Sequence, residues 1–240
     1  MTSLADPAPN PASASGPAAA SETARAEVDA LIAAVAAADS AISLLLATQA
    51  RAAAVHPAAI ASLVEVLGFN NPGAAVAAVD GLIALGPQAV APLLGSLDER
   101  NYGARAWAVR ALAGIGDVRG LDLLEEALGS DIGPSVRRAA ARGLGQLRLD
   151  ALDATQRQEV QGRCLQALVA GCADGEWVVR YAVAVGLEAL GLGDDPTSGR
   201  LLPASRQTLL DLSQAEAEEV PVVRLRAALA LQRLDGQPSA

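Results

Sequence analysis

The apolar positions of this chain recur at helical rather than strand spacing. Val28, Leu31, Ile32 and Val35 fall on one face of a helix expected to begin near Glu22, with Ser21 as its cap. The same period predicts a second helix over about 41–55 and a third over 57–67. From residue 70 onward the pattern repeats. GAAVAAVDGLIALG (73–86), YGARAWAVRALAGIG (102–116), PSVRRAAARGLGQL (134–147), WVVRYAVAVGLEALG (177–191) and PVVRLRAALALQRL (221–234) are variants of one helix.

Aligning Ala75, Arg105, Arg137, Arg180 and Arg224 as anchors makes the repeat explicit. Seven residues on stand Leu82, Leu112, Leu144, Leu187 and Leu231; ten residues on stand Leu85, Ile115, Leu147, Leu190 and Leu234. Six residues before each anchor come Phe69, Glu99, Asp131, Asp174 and Glu218. An acid at that place suits the open N–H groups and the dipole of a helix start. Anchors lie 30, 32, 43 and 44 residues apart, a spacing that belongs to helical repeat arrays. Second helices are expected between them, at 88–97, 120–128, 155–169 and 205–212. Small residues such as Ala108 and Ala140 let neighbouring helices approach closely. The fold class is therefore an all-α solenoid of HEAT-like helix pairs, spanning residues 22–236. Residues 1–21, rich in Ala, Pro and Ser, are expected to form a disordered arm, and 237–240 a flexible tail.

Composition narrows the function classes. Aromatics are 2% of the chain against 52% hydrophobic residues, so Ala, Leu and Val build the core. The formal charge is −9 and all 18 basic residues are Arg, a balance that argues against nucleic acid as a partner. Eighteen uninterrupted apolar residues occur nowhere, and the N-terminus lacks a signal-peptide pattern, so a soluble, cytoplasmic protein without a membrane span is expected. Cys164, Cys172 and the single His56 are too few for a disulfide framework or a zinc site, so no metal is expected. Phosphate loops and nucleophile–His arrangements are absent.

Departures from the repeat are more informative than the repeat. An anchor Arg in such an array commonly pairs with the acid of the neighbouring turn, a structural role open to Arg105, Arg137, Arg180 and Arg224 with Asp131, Asp174 and Glu218. Yet both Trp and both Tyr residues, Tyr102, Trp107, Trp177 and Tyr181, lie in two repeats at helix starts. Rings with one polar edge suit a flat ligand or a partner's side chains. Arg110 follows Arg105, and Asp174, Glu176 and Arg180 surround Trp177. Guanidinium forks hold carboxylates, and an acid can accept ring N–H groups. Taken alone these groups would equally suit a protein surface.

The stretches NYGARAWAVRALAGIGDVRGLDLLEEA (101–127), DIGPSVRRAAARGLG (131–145) and DGEWVVRYAVAVGLEAL (174–190) resemble the E/F-type phycobilin lyases, HEAT-like proteins of cyanobacteria and red algae. The likeness is specific over about 98–191 and lies nearest to the F-type subunit of the lyase for phycocyanin α subunits. It implies attachment of a linear tetrapyrrole, a phycocyanobilin-type bilin, to a cysteine of an apo-phycobiliprotein α subunit through a thioether bond. The bilin is then substrate rather than permanent cofactor, and an E-type subunit is the expected heterodimer partner. Under that resemblance Tyr102, Arg105, Trp107, Arg110, Trp177, Arg180 and Tyr181 bind bilin or partner. Asp174 or Glu176 supplies a proton as sulfur adds, while Cys164 and Cys172 are buried structural thiols. The aromatic and Arg positions are expected to line one concave surface. Alternatives are a non-enzymatic scaffold gripping a protein partner, and a relative that releases bilin during phycobilisome breakdown.

Overall fold

The computed structural model describes residues 17–97, 101–193 and 201–236, and of the side chains those from residue 25 onward. Among the described residues twelve α-helices follow one another: α1 (Pro17–Ala36), α2 (Ala41–Ala53), α3 (Ile60–Val66), α4 (Pro72–Leu85), α5 (Val90–Gly95), α6 (Tyr102–Ile115), α7 (Leu121–Ser130), α8 (Pro134–Leu144), α9 (Ala154–Gly171), α10 (Trp177–Leu192), α11 (Leu201–Ser213) and α12 (Pro221–Asp235). No strand occurs among the described residues.

Local chemistry sets the starts. Asn71 and Asn101 cap α4 and α6 by accepting from Ala74 N and Ala104 N at 3.1 and 3.0 Å. Asp153 and Gln156 close a capping box on α9. Pro72, Pro134 and Pro221 occupy first-turn positions, where a missing N–H costs nothing. The same reasoning accounts for α1, which opens at Pro17 rather than Glu22: proline suits the first turn and the alanines behind it favour helix. Residues 17–21 thus belong to a helix and not to the expected arm; residues 1–16 and 237–240 lie outside the described residues. His56 caps the short turn before α3, its Nδ1 accepting from Ala58 N at 3.2 Å.

The helices form two layers. The repeat helices pack in sequence, α2 on α4, α4 on α6, α6 on α8, α8 on α10 and α10 on α12, while contacts among the second helices are sparser. The repeat helices thus form the more closely packed of the two layers. Between the layers runs one continuous core. Leu82, Leu112, Leu144 and Leu187, the residues seven beyond each anchor, are at most 1% exposed. Burial of such a side chain is worth about 1.5–3 kcal/mol. Leu231, in the last described helix, is half-buried.

Two glycine positions are demanded by this packing. A Cβ on Gly145 would lie 2.3 Å from the Gly186 carbonyl oxygen, so α8 and α10 cross backbone to backbone there. Gly86 has φ +67°, the left-handed turn that breaks α4 from α5. The apolar stretch Pro72–Gly95 would be long enough to cross a membrane, but this break divides it into a helix pair. One further feature was not foreseen: Arg51 is fully buried, donating to Val28 O at 3.0 Å, Ala58 O at 2.8 Å and Ser62 Oγ, so that it ties α1, α2 and α3 together.

Candidate functional site

The anchor arginines form a ladder along the array. Arg137 grips Asp174 of the following turn through Nε at 2.7 Å and Nη2 at 3.0 Å, and Nη1 donates to the Asp131 carbonyl at 2.8 Å. Arg180 repeats the arrangement one step on, to Glu218 at 2.6 and 2.8 Å and to the Asp174 carbonyl at 2.7 Å. Arg105 begins the ladder more loosely, 3.4 Å from Asp131 and 3.0 Å from Glu126. Each acid also accepts the N–H two residues beyond it: Gly133, Glu176 and Val220, at 2.8–2.9 Å. Arg224 departs from the expected pairing. It donates to the carbonyls of Glu218 and Glu219 at 2.7 and 2.9 Å and meets no acid among the described residues.

The ladder absorbs several candidates. Burial by itself would raise the Asp174 carboxyl, but the Arg137 guanidinium and the Glu176 N–H outweigh it and hold the group below its ordinary value. Asp174 is therefore an ionised, doubly engaged carboxylate, which opposes its use as a proton donor. Arg180 is committed to Glu218, and its forks are not open to another carboxylate. Tyr102 reaches the same ladder, donating to Asp131 Oδ1 at 3.3 Å, and burial followed by the nearby Asp131 pushes its phenol up. Trp177 is 45% exposed at the start of α10, next to exposed Glu176. Tyr181 lies farther along α10 with the Arg226 guanidinium 6.0 Å from its ring centre. Arg226 in turn pairs with buried Glu188.

Two of the sequence candidates come together in one cavity. Trp107 and Arg110 line a groove of about 400 Å³ that crosses α4, α6 and α8 in the layer of repeat helices. The Arg110 guanidinium sits over the Trp107 ring, 5.6 Å from its centre. Asp80 and Ile83 come from α4, Arg138, Arg142 and Gln146 from α8 and the turn after it. Sequence reading missed Arg138, Arg142 and Asp80. Their signal was available in the repeat register: five residues beyond the anchor stand Asp80, Arg110, Arg142, Val185 and Leu229, charged in the three repeats of the groove and apolar afterwards. Trp107 also walls a smaller crevice with Phe69, Asn71 and Asn101, so its ring separates two openings.

Neither cysteine is a nucleophile in waiting. Burial pushes the Cys164 and Cys172 thiols up to about 12, with Glu125 adding to the first and Asp211 to the second. Both are free thiols, and Cys172 Sγ donates to the Leu168 carbonyl.

Comparison with known proteins fits this architecture. Residues 96–161 match the family of HEAT repeats. The phycocyanin alpha phycocyanobilin lyase CpcF of Synechocystis sp. is 49% identical over 81% of this chain and 87% of its own length. A phycobilisome maturation protein of Synechococcus elongatus is 50% identical over 85% of this chain and 96% of its own. Among solved structures, a chain from the complex of CpcE and CpcF of phycocyanin lyase from Nostoc sp. superposes with a TM-score of 0.66 at 40% identity, over 73% of this chain and 99% of that one. Helix pairs, ladder and matching length agree in one conclusion: the chain belongs to the E/F-type phycobilin lyases, on the side of their F-type subunits.

Proposed function

We propose that this protein is the F-type subunit of a heterodimeric, cytoplasmic phycobilin lyase that joins a phycocyanobilin-type tetrapyrrole to a cysteine of a phycobiliprotein α subunit. The observation that carries the reading is the near full-length relationship to lyase subunits, together with a groove across the repeat helices whose aromatic wall and cations suit a flat acid. A volume of about 400 Å³ lies inside the range of roughly 300–1,000 Å³ usual for small-molecule sites.

The chemistry asks little of this chain in covalent terms. The acceptor cysteine supplies the nucleophile: its thiol gives up a proton, the sulfur adds to one carbon of a bilin C=C whose π bond opens, and the bilin takes up a proton as the thioether forms. Holding the bilin and the thiol in one orientation contributes most of the rate. Exposed Glu176 beside Trp177, which unlike Asp174 is not held by an arginine of the ladder, is the candidate proton source in this reading.

The test is co-expression of this chain with an E-type subunit, an apo-phycobiliprotein α subunit and a source of bilin. After denaturation the acceptor band should carry covalent, zinc-enhanced fluorescence and lose it when this chain is omitted. A dark band, with the same partner and acceptor labelled by another F-type subunit, overturns the reading for that acceptor and bilin. Darkness across the remaining acceptors and bilins leaves a scaffold that only holds protein.

A further inference from the structure

Arginine pairing in this chain is selective. Arg105, Arg119, Arg137, Arg163, Arg180, Arg206, Arg226 and Arg233 each meet a carboxylate. Arg51, Arg148, Arg157 and Arg224 donate to backbone carbonyls. Among the described residues only Arg25, Arg110, Arg138 and Arg142 have neither, and three of those four line the one groove. In a chain of formal charge −9, acids are plentiful enough to pair these three. Leaving them together and unpaired costs mutual repulsion, which an external anion would relieve.

The groove is also polar in one direction. Asp80 stands on the α4 side, Trp107 and Arg110 on the central helix α6, and Arg138 and Arg142 on the α8 side. A bilin has matching edges: its propionate arms leave one side of the tetrapyrrole and its pyrrole N–H groups face the other. Resting on the lyase reading above, we propose that Arg110, Arg138 and Arg142 hold the propionate carboxylates of the bilin. The Trp107 ring lies against its conjugated plane, and Asp80 accepts from its pyrrole N–H groups. The ladder arginines Arg105 and Arg180 take no part, because their forks are filled by Glu126, Asp131 and Glu218. Guanidinium forks are suited to this work, since each presents a planar pair of donors to a carboxylate.

The experiment separates carboxylate recognition from bilin binding as such. The complex of this chain with an E-type subunit is titrated with phycocyanobilin and with its dimethyl ester, binding being followed by absorption. Exposed ion pairs contribute modestly, so three of them predict a preference for the free acid of roughly tenfold. The variant R110Q/R138Q/R142Q should bind acid and ester alike, with ester affinity within about twofold of wild type, because these three side chains form no ion pair or hydrogen bond in the protein and the planar amide that replaces the Arg110 fork can still lie on Trp107. Asp80→Asn should weaken both forms together, and Arg25→Gln should alter neither. Equal binding of acid and ester by the wild type, or an acid preference kept by the triple variant, overturns the clamp while leaving the lyase reading in place. Binding of neither form by the wild type overturns the lyase reading, and the clamp falls with it.

Discussion

Removing the Arg180 side chain should strand Glu218. That carboxylate has a side chain only 1% exposed and is held by two Arg180 bonds of 2.6 and 2.8 Å. Without them it keeps the Val220 N–H at 2.8 Å, and the Asp174 carbonyl loses its own donor. Taking one partner from a buried pair costs about 3–5 kcal/mol, because an uncompensated charge stays behind. An exposed pair costs about 0.2–1 kcal/mol. With Arg180 only 13% exposed, the rung belongs to the first class. Arg180→Ala is therefore expected to lose about 3–5 kcal/mol in urea unfolding followed by far-UV circular dichroism. In a chain of this size that lowers the melting temperature by roughly 6–20 °C. Arg206→Ala, which breaks the half-exposed pair with Asp235, should lose less than about 1 kcal/mol. The paired replacement R180M/E218L should recover most of the loss, since no charge is left buried. Because each repeat touches only its neighbours, amide exchange should quicken in α12 before α6. A loss below about 1 kcal/mol for Arg180→Ala, or a double variant as damaged as the single one, would refute the argument.

Three further outcomes test the same structure. The Arg180 fork and the Val220 N–H hold Glu218 below its ordinary value despite burial, and Asp174 is likewise depressed. A carboxyl depressed by folding stabilises above its unfolded pKa, about 3.9 for Asp and 4.3 for Glu, and that stability is lost as pH falls through the folded value. Urea midpoints should thus hold steady from neutral pH to about pH 5 and fall below about pH 4, with Arg180→Ala showing a shallower fall; an unchanged slope would contradict the ladder. Gly145→Ala should cost about 2–3 kcal/mol, since its Cβ would meet Gly186 at 2.3 Å, whereas Gly162→Ala, in open space within α9, should stabilise by about 0.5–1 kcal/mol. Cys164 and Cys172, with thiols pushed up to about 12, should resist a disulfide reagent at mildly alkaline pH in the native protein, and C164A/C172A should still support bilin attachment. Rapid labelling of the native protein, or loss of attachment in that variant, would give these cysteines a role beyond packing.

What the sequence determined by itself was periodic. Leu82, Leu112, Leu144 and Leu187 are buried because a helix face is set by local geometry, and Asp131, Asp174 and Glu218, six residues before their anchors, meet the previous repeat's arginine because similar units stack in similar ways. That rule is why the partners of Arg137 and Arg180 could be read without coordinates; it did not hold at Arg224, which donates to backbone carbonyls instead. Family membership was likewise legible, since the resembling stretches 101–127, 131–145 and 174–190 carry the repeat's departures as well as its rule. Tertiary structure decided the rest. Tyr102, Trp177 and Tyr181 lie outside the groove that holds Trp107 and Arg110, although all five sit near helix starts or within a turn or two of them. Nothing in the repeat pattern marks Arg51, which is fully buried. Arg138 and Arg142 join the groove only because α8 lies beside α6, with Asp80 on the α4 side. A helix fixes which of its own residues share a face; only its crossing with the next helix fixes which faces enclose a common space.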